Sequence, residues 1–226
     1  MKYSNIVEGR FIERPNRFIA YCQIDGERKR CHVKNTGRCK ELLTPGAKVF
    51  LNHCPGPNRK TDYDLIAVFK VQKLINMDSY APNIVFGEFL AAGGLGFKPD
   101  LIKPECTHGD SRFDFYFEKG EKKYFAEVKG VTLEEKGLVR FPDAPTERGA
   151  KHMRGLIECK KQGYEAMAVC VVQMEEAISF SPNDETDPAF GSALREAREA
   201  GVKLIAFNCK VQRDSLIIDK ELPILL

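Results

Sequence analysis

Residues 109–130 read GDSRFDFYFEKGEKKYFAEVKG and contain two runs of alternating apolar and polar side chains around Gly120-Glu121. A Gly-X pair between two such runs is typical of a two-residue β-hairpin turn. A turn centred there sets the register of the hairpin and places the apolar side chains on one continuous face. The predicted pairs are Phe113 with Val128, Phe115 with Ala126 and Phe117 with Tyr124.

The same register places Asp114 directly opposite Glu127, and Lys129 shares the face of Glu127. Two opposed carboxylates repel each other, which raises one pKa unless a cation lies between them. Mg²⁺ is commonly held by one or two carboxylates together with waters and substrate phosphates. The hairpin therefore predicts a Mg²⁺ or Mn²⁺ site at Asp114 and Glu127, with Lys129 placed to stabilise developing phosphate charge. The alternative is a solvated sheet face on which each carboxylate pairs with a neighbouring base.

The rest of the second half alternates between predicted helices and strands. Thr146 is a plausible N-cap and Gly163 follows the end of the same helix. The apolar run 164–173 suits a strand buried on both faces. Together these elements predict an α/β domain around a mixed sheet over residues 83–226. Helices are predicted over 82–93, 146–162 and 189–200, and strands over 112–118, 123–131, 164–173 and 202–208.

The first half contains short strand patterns separated by turn residues. Asp25-Gly26 is a strong two-residue hairpin signal, and a short helix is predicted over 38–43. Five strands with a small helix between the third and fourth match an OB-like β-barrel over residues 1–82, although another small barrel has nearly the same pattern. The strands are predicted near 5–13, 17–24, 27–33, 47–53 and 63–72.

The net charge of +3 is unevenly distributed along the 226 residues. Residues 1–83 contain 15 Lys or Arg against 8 Asp or Glu, whereas the remainder contains 20 against 24. This asymmetry favours a polyanion partner for the first half and a carboxylate site in the second, although ordinary surface variation produces similar differences. Because OB barrels bind oligonucleotides on strands two and three and the adjoining loops, Lys34, Arg38 and Lys40 are candidate DNA contacts.

A second basic face is predicted on the helix over 146–162. Arg148, Lys151 and His152 occur at i, i+3 and i+4, so they share one side of the helix. This side either contacts a phosphate backbone or forms a solvent-exposed charged stripe. The sequence leaves both interpretations open.

Several classes of protein are disfavoured by composition. The longest uncharged apolar run, 166–174, is about half of what a membrane span requires, and the first residues lack the apolar core of a signal peptide. The 8 cysteines form no C-x-x-C pair, which favours reduced thiols in a cytoplasmic protein. The more specific alternative is a zinc site formed by Cys31-His32 and His53-Cys54. The two ligands in each pair are adjacent, whereas structural zinc sites usually have ligands separated by a few residues.

Asp114 followed by Glu127-Val128-Lys129 resembles the PD-(D/E)xK nuclease signature, although Arg112-Phe113 stands where that signature has its proline. Longer stretches resemble the sugar fermentation stimulation protein A family, and the resemblance covers nearly the whole chain. It implies an OB-like domain, a restriction-endonuclease-like domain and binding to single- or double-stranded DNA in the cytoplasm. The stretches are HVKNTGR at 32–38, SRFD at 111–114, EVKGVTL at 127–133 and FPDAPTERG at 141–149.

Three functions follow from these residues and from the resemblance. The first is a metal-dependent phosphodiesterase with Asp114, Glu127 and Lys129 as catalytic residues, linked by the family name to sugar metabolism. Nuclease-like domains often supply a further acidic group from a helix before the hairpin, which makes Glu88 a candidate third metal ligand or an ordinary solvated side chain. The second function is a DNA-binding regulator without catalysis. The third, a sugar-binding module, is disfavoured because the chain has no tryptophan. No membrane or obligate protein partner is inferred.

Overall fold

The structure, a computed structural model, describes residues 1–35 and 37–226. Thr36, which belongs to the HVKNTGR stretch, lies outside the described residues. Within the described ranges, no helix has the length and apolar character needed to cross a membrane.

The first half forms a closed five-stranded barrel with one additional short strand. Strands β1 to β5 pair antiparallel in the sheet order β3-β2-β1-β4-β5, and a parallel pairing of β3 with β5 closes the barrel. Asp25 and Gly26 both have positive φ angles, of 50° and 81°, as a tight hairpin turn requires. The predicted OB-like barrel is confirmed. Its strands are β1 (Ile6–Glu13), β2 (Ile19–Ile24), β3 (Glu27–Val33), β4 (Lys48–His53) and β5 (Tyr63–Lys70), with β6 (Lys73–Asn76) added at the edge.

The predicted short helix over 38–43 is absent, and a turn occupies this segment. The N–H groups of Leu42 and Leu43 donate to the carbonyl of Cys39, at 3.2 and 2.9 Å, which makes one turn and no more. Pro45 and Gly46 follow immediately, so a second helical turn cannot form.

The second half is a six-stranded mixed sheet with helices on both faces, which confirms the predicted α/β architecture. The strand order is β15-β14-β12-β9-β8-β7, and a small three-stranded sheet has the order β10-β11-β13. The sequence analysis did not predict β6, β7, β10, β11, β13 or β15. The elements are α1 (Ala81–Ala91), β7 (Leu101–His108), β8 (Ser111–Lys119), β9 (Lys122–Val131), β10 (Leu133–Glu135), β11 (Leu138–Phe141), α2 (Glu147–Lys161), β12 (Glu165–Val172), β13 (Ser179–Pro182), α3 (Pro188–Glu199), β14 (Lys203–Gln212) and β15 (Ser215–Leu222).

The central strand β12 is buried on both faces, as its apolar sequence predicts. It pairs in parallel with β9 on one side and with β14 on the other. Ala168 and Cys170 belong to a core that includes residues of α2, α3 and the barrel, whereas Val169 and Val171 pack with residues of α1. The parallel pairing with β9 therefore fixes the strand that carries Glu127 between two layers of helices.

The predicted hairpin register is confirmed up to the pair Phe115–Ala126, where the ladder between β8 and β9 ends. The prediction that all apolar side chains of the hairpin share one face is wrong for Phe113. Phe113 packs in the core under α2, whereas Phe115 packs against α1. The reason is local. The N–H of Val128 donates to the Asp114 side chain at 2.7 Å, outside the ladder, so β8 leaves its partner at this point.

Two side-chain caps begin the helices that cover the sheet. The Thr146 hydroxyl accepts a hydrogen bond from the N–H of Gly149 at 3.0 Å, as predicted for an N-cap. Asp187 caps α3 by accepting from the N–H of Phe190 at 2.9 Å, and it also accepts from the N–H of Thr146 at 2.7 Å. One buried carboxylate therefore fixes the starts of both α2 and α3.

We expect Asp187→Ala to lower the free energy of unfolding by about 1–3 kcal/mol, because it removes a helix cap and leaves the half-buried N–H of Thr146 without an acceptor. The matched control is Asp184→Ala, which removes an exposed ion pair with Arg195 and should cost no more than about 1 kcal/mol. Urea unfolding followed by circular dichroism measures both values. Equal losses in the two variants would contradict the assigned role of Asp187.

Candidate metal and nucleic-acid site

Asp114 lies where β8 leaves the hairpin ladder, and two donors hold its carboxylate. Asn83, in the first turn of α1, donates to Oδ1 at 2.8 Å, and the N–H of Val128 donates to Oδ2 at 2.7 Å. Burial and then the neighbouring charge of Glu127 raise the pKa of Asp114. The charge of Glu127 therefore acts on Asp114, but the two residues are not the directly opposed hairpin pair that the register predicted, because the ladder ends at Phe115–Ala126.

Glu127 is buried on β9 with an asymmetric set of contacts. Both the Lys129 ammonium and Nδ1 of His152 contact its Oε1. Its Oε2 is buried and has no hydrogen-bond partner among the described residues. Burial raises the pKa of Glu127, but the contacts with His152 and Lys129 outweigh it, so the pKa is lowered. The result is an ionised carboxylate with one free oxygen, which is the kind of group that binds a cation.

The hairpin brings Asp114, Glu127 and Lys129 together, as predicted, while their catalytic and metal-binding roles stay predictions. Glu88 does not join them. Its carboxylate contacts the amino group of Met1 at 2.6 Å and is more than half exposed. Among residues 1–35 and 37–226, no three His, Cys, Asp or Glu side chains are arranged to hold a metal ion, which also leaves the zinc alternative without support.

The basic face predicted on α2 is divided between the protein interior and solvent. Arg148 and Lys151 are exposed, so their contact with DNA stays a prediction. His152 is only 5% exposed and points toward the sheet, where it contacts Glu127. The prediction that His152 contacts nucleic acid is therefore wrong, because the i+4 position of this helix faces β9.

A groove of about 890 Å³ separates the barrel from the second domain. It reaches Gly130, the residue after Lys129, and the buried Gln173 at the end of β12. A Cβ atom at Gly130 would lie only 2.6 Å from Oε1 of Gln173, so only glycine fits at this point. The arginines and lysines that line the groove are Arg14, Arg17, Arg38, Lys40 and Arg140.

Arg14 shapes the barrel side of this groove from within. Its guanidinium donates to the carbonyls of Asn35, Gly37 and Arg38 at 2.6, 2.9 and 3.0 Å. The N–H of Arg38 in turn donates to Asp143 of the second domain at 3.0 Å. The main chain at Asn35, Gly37 and Arg38 is therefore held in place, while the side chains of Arg38 and Lys40 are exposed toward the groove.

Lys34 lies apart from these cations and has a different environment from the one predicted. Its ammonium contacts Asp78 at 3.0 Å and Asp64 at 3.4 Å, and both carboxylates are buried. Burial lowers the pKa of Lys34, but the two carboxylates outweigh this effect and raise it. The structure thus places Lys34 beside two buried acids, of which Asp64 also contacts Arg59, and not among the groove cations.

The sequence analysis did not identify several residues that the fold brings to this region. Asn83, Gln173 and Arg14 all make their contacts with residues that are distant in sequence or with backbone atoms. The one available signal was the position of Asn83 in the first turn of a predicted helix beside the hairpin.

A closed OB-like barrel joined to a mixed sheet with a buried Glu between a half-buried Asp and Lys defines a class of two-domain, nuclease-like proteins. The family model described as SfsA N-terminal OB domain matches residues 12–77, and that described as sugar fermentation stimulation protein RE domain matches residues 80–215. The chain therefore belongs to the sugar fermentation stimulation protein family.

Relatives of similar length support this assignment. A sugar fermentation stimulation protein homolog of Clostridium beijerinckii is 54% identical and covers 100% of both chains. A homolog from Desulfitobacterium hafniense is 55% identical over 96% of this chain and 94% of its own. The solved structure of Pyrococcus furiosus SfsA in complex with Ca²⁺ matches 100% of this chain and 98% of its own, with a TM-score of 0.89 and 28% identity.

We expect Lys34→Met to lower the free energy of unfolding by about 1–3 kcal/mol, because it leaves the buried carboxylate of Asp78 without its cation, whereas Asp64 keeps its contact with Arg59. Lys29→Met, in strand β3 just before Lys34, removes only an exposed contact with Glu27 and should have little effect. Chemical denaturation at neutral pH measures both variants. A fully stable Lys34→Met protein with weakened DNA binding would instead return Lys34 to the nucleic-acid surface.

Proposed function

We propose that the protein binds DNA in the groove between its two domains and hydrolyses phosphodiester bonds with a divalent cation held by Asp114 and Glu127. The observation that carries this proposal is the buried, unpartnered Oε2 of the ionised Glu127 beside a second carboxylate. An influence on sugar fermentation, which the names of the relatives describe, would then act through DNA.

The residues present fit a hard divalent cation. Asp114 and Glu127 are on the neighbouring strands β8 and β9, and the charge of Glu127 acts on Asp114. The buried Oε2 of Glu127 has no hydrogen-bond partner among the described residues, although a buried charge requires one. Mg²⁺ or Mn²⁺ held by Asp114 and Glu127 would supply charge neutralisation and would activate water for attack on the phosphodiester. The related Pyrococcus furiosus protein was solved in complex with Ca²⁺, which supports a cation of this class.

Other residues of the protein orient Asp114, stabilise the charge on the phosphate and bind the DNA backbone. Asn83 and the N–H of Val128 orient Asp114. The Lys129 ammonium and His152 both contact Oε1 of Glu127. In the transition state, the ammonium stabilises the negative charge that develops on the phosphate. The groove cations hold the DNA backbone without reading its sequence, because contacts to phosphates carry no base information.

We expect purified protein to cleave labelled single- or double-stranded DNA in Mg²⁺ or Mn²⁺ but not in EDTA, and Glu127→Gln to lower the rate by at least about 10². A glutamine keeps an oxygen for the donors Lys129 and His152, so the fold is preserved while the charge is lost. In wild type, metal should raise the unfolding temperature, with about 2.7 kcal/mol of stabilisation at a concentration 100 times the Kd.

The matched control is Glu121→Gln, the same chemical change at an exposed position of the hairpin turn. It should retain both cleavage and the metal-induced stabilisation. Cleavage that persists in Glu127→Gln comes from another nuclease or another site and would sink the proposal. Stabilisation by metal without any cleavage would favour binding without hydrolysis.

The second test concerns the groove. Each phosphate that the protein neutralises adds about −0.9 to the slope of log affinity against log salt for duplex DNA. We therefore expect the double variant Arg38→Glu, Lys40→Glu to weaken DNA binding for all sequences and to flatten this slope by roughly one to two units.

The control for this variant is Lys122→Glu, Lys123→Glu, which makes the same charge change beside the hairpin turn, away from the groove. It should leave the slope nearly unchanged. A salt titration of DNA binding by fluorescence anisotropy compares the three proteins. Equal effects of the two double variants would mean that net charge alone, and not the groove, attracts DNA.

A further inference from the structure

His152 has two polar contacts in an otherwise apolar part of α2. Its Nδ1 contacts Oε1 of Glu127, and its Nε2 lies 3.3 Å from Nε of Arg148, one helical turn earlier. The ring also lies near Phe113, with 6.2 Å between ring centroids. A buried imidazole costs free energy unless its nitrogens are paired, and here both are paired.

These contacts allow only one protonation pattern of the ring. An ionised carboxylate only accepts hydrogen bonds, so Nδ1 of His152 must carry a hydrogen to contact Glu127. The Nε–H of Arg148 only donates, so Nε2 must present its lone pair. The arrangement therefore requires the neutral Nδ1–H tautomer, with hydrogen bonds running from Arg148 through His152 to Glu127.

The hydrogen bonds that run from Arg148 through His152 end on only one of the two carboxylate oxygens of Glu127. Both donors, Lys129 and His152, contact Oε1, and neither contacts Oε2. The Lys129 ammonium is on a flexible stem and turns toward a phosphate when it acts there. His152 is on a packed helix and is then the one donor in the described contacts that still holds the carboxylate.

We propose that His152 is a positioning residue: its Nδ1–H, held in this tautomer by Arg148, fixes Glu127 so that Oε2 is the oxygen offered to the cation. This inference rests on the proposed function for the identity of the ligand. It assigns to His152 and Arg148 a role in cation binding, in place of direct contact with DNA by His152.

The test titrates Mn²⁺ alone into the full-length protein by isothermal calorimetry. We expect His152→Leu, which fills the space without a donor, to weaken Mn²⁺ binding by about 10- to 100-fold. His152→Asn, whose amide N–H replaces Nδ1–H, should restore affinity to within a few-fold of wild type. Arg148→Met should weaken binding less than His152→Leu does, and Arg154→Met, at an exposed position of the same helix, should leave it unchanged.

A second measurement is independent of metal. Long-range ¹H–¹⁵N NMR of the histidine rings at neutral pH should show His152 with a protonated Nδ1 and an unprotonated Nε2. The opposite tautomer, or equal loss of Mn²⁺ affinity in the Asn and Leu variants, overturns the inference. If the wild-type protein binds no Mn²⁺, the proposed function is overturned as well. If the wild-type protein and His152→Leu bind Mn²⁺ equally tightly, only this inference is overturned.

Discussion

The relative position of the two domains depends on a buried polar contact between Gln173 and the segment that follows the barrel. The Gln173 side chain donates to Oδ1 of Asn76 at 2.9 Å and to the carbonyl of Asp78 at 3.0 Å, and the N–H of Asn76 donates to the Gln173 carbonyl at 3.0 Å. Losing such a partner leaves a buried amide unpaired, at a cost of about 1–3 kcal/mol. Because Gln173 directly follows β12, the contact holds the basic groove beside the strand of Glu127 and Lys129.

The parts of the structure that were predictable are those determined by neighbours in sequence. The Gly120-Glu121 turn fixes the pairing of Phe115 with Ala126, since side chains alternate with a period of two and a slip of one residue would reverse every face. The same register predicts that Asp114 and Glu127 meet and that one pKa is raised, and the raised pKa is that of Asp114. The doubly buried strand was predictable from its unbroken apolar run.

The remaining features depend on contacts between distant segments. The spacing of Arg148 and His152 predicts one helix face, but the packing of α2 on β9 decides that His152 turns inward. The sequence predicts that Lys34 belongs to the exposed cations of the barrel, because nothing in its local pattern shows that Asp64 and Asp78 are buried beside it. Strands β10, β11 and β13 have only three or four residues each, and such short segments acquire extended structure from their partners, not from their own patterns.

The distribution of charge separates binding from chemistry. The groove cations come mainly from the barrel and its loop, whereas the two carboxylates of the second domain repel a phosphate. The single positive charge of Lys129, whose ammonium contacts Glu127, does not balance two carboxylates. Under the proposed function, DNA in the groove is therefore attracted by the barrel and, without a divalent cation, held away from the carboxylates. Under the proposed function, the cation is required at this point for electrostatic approach of the phosphate as well as for activation of water.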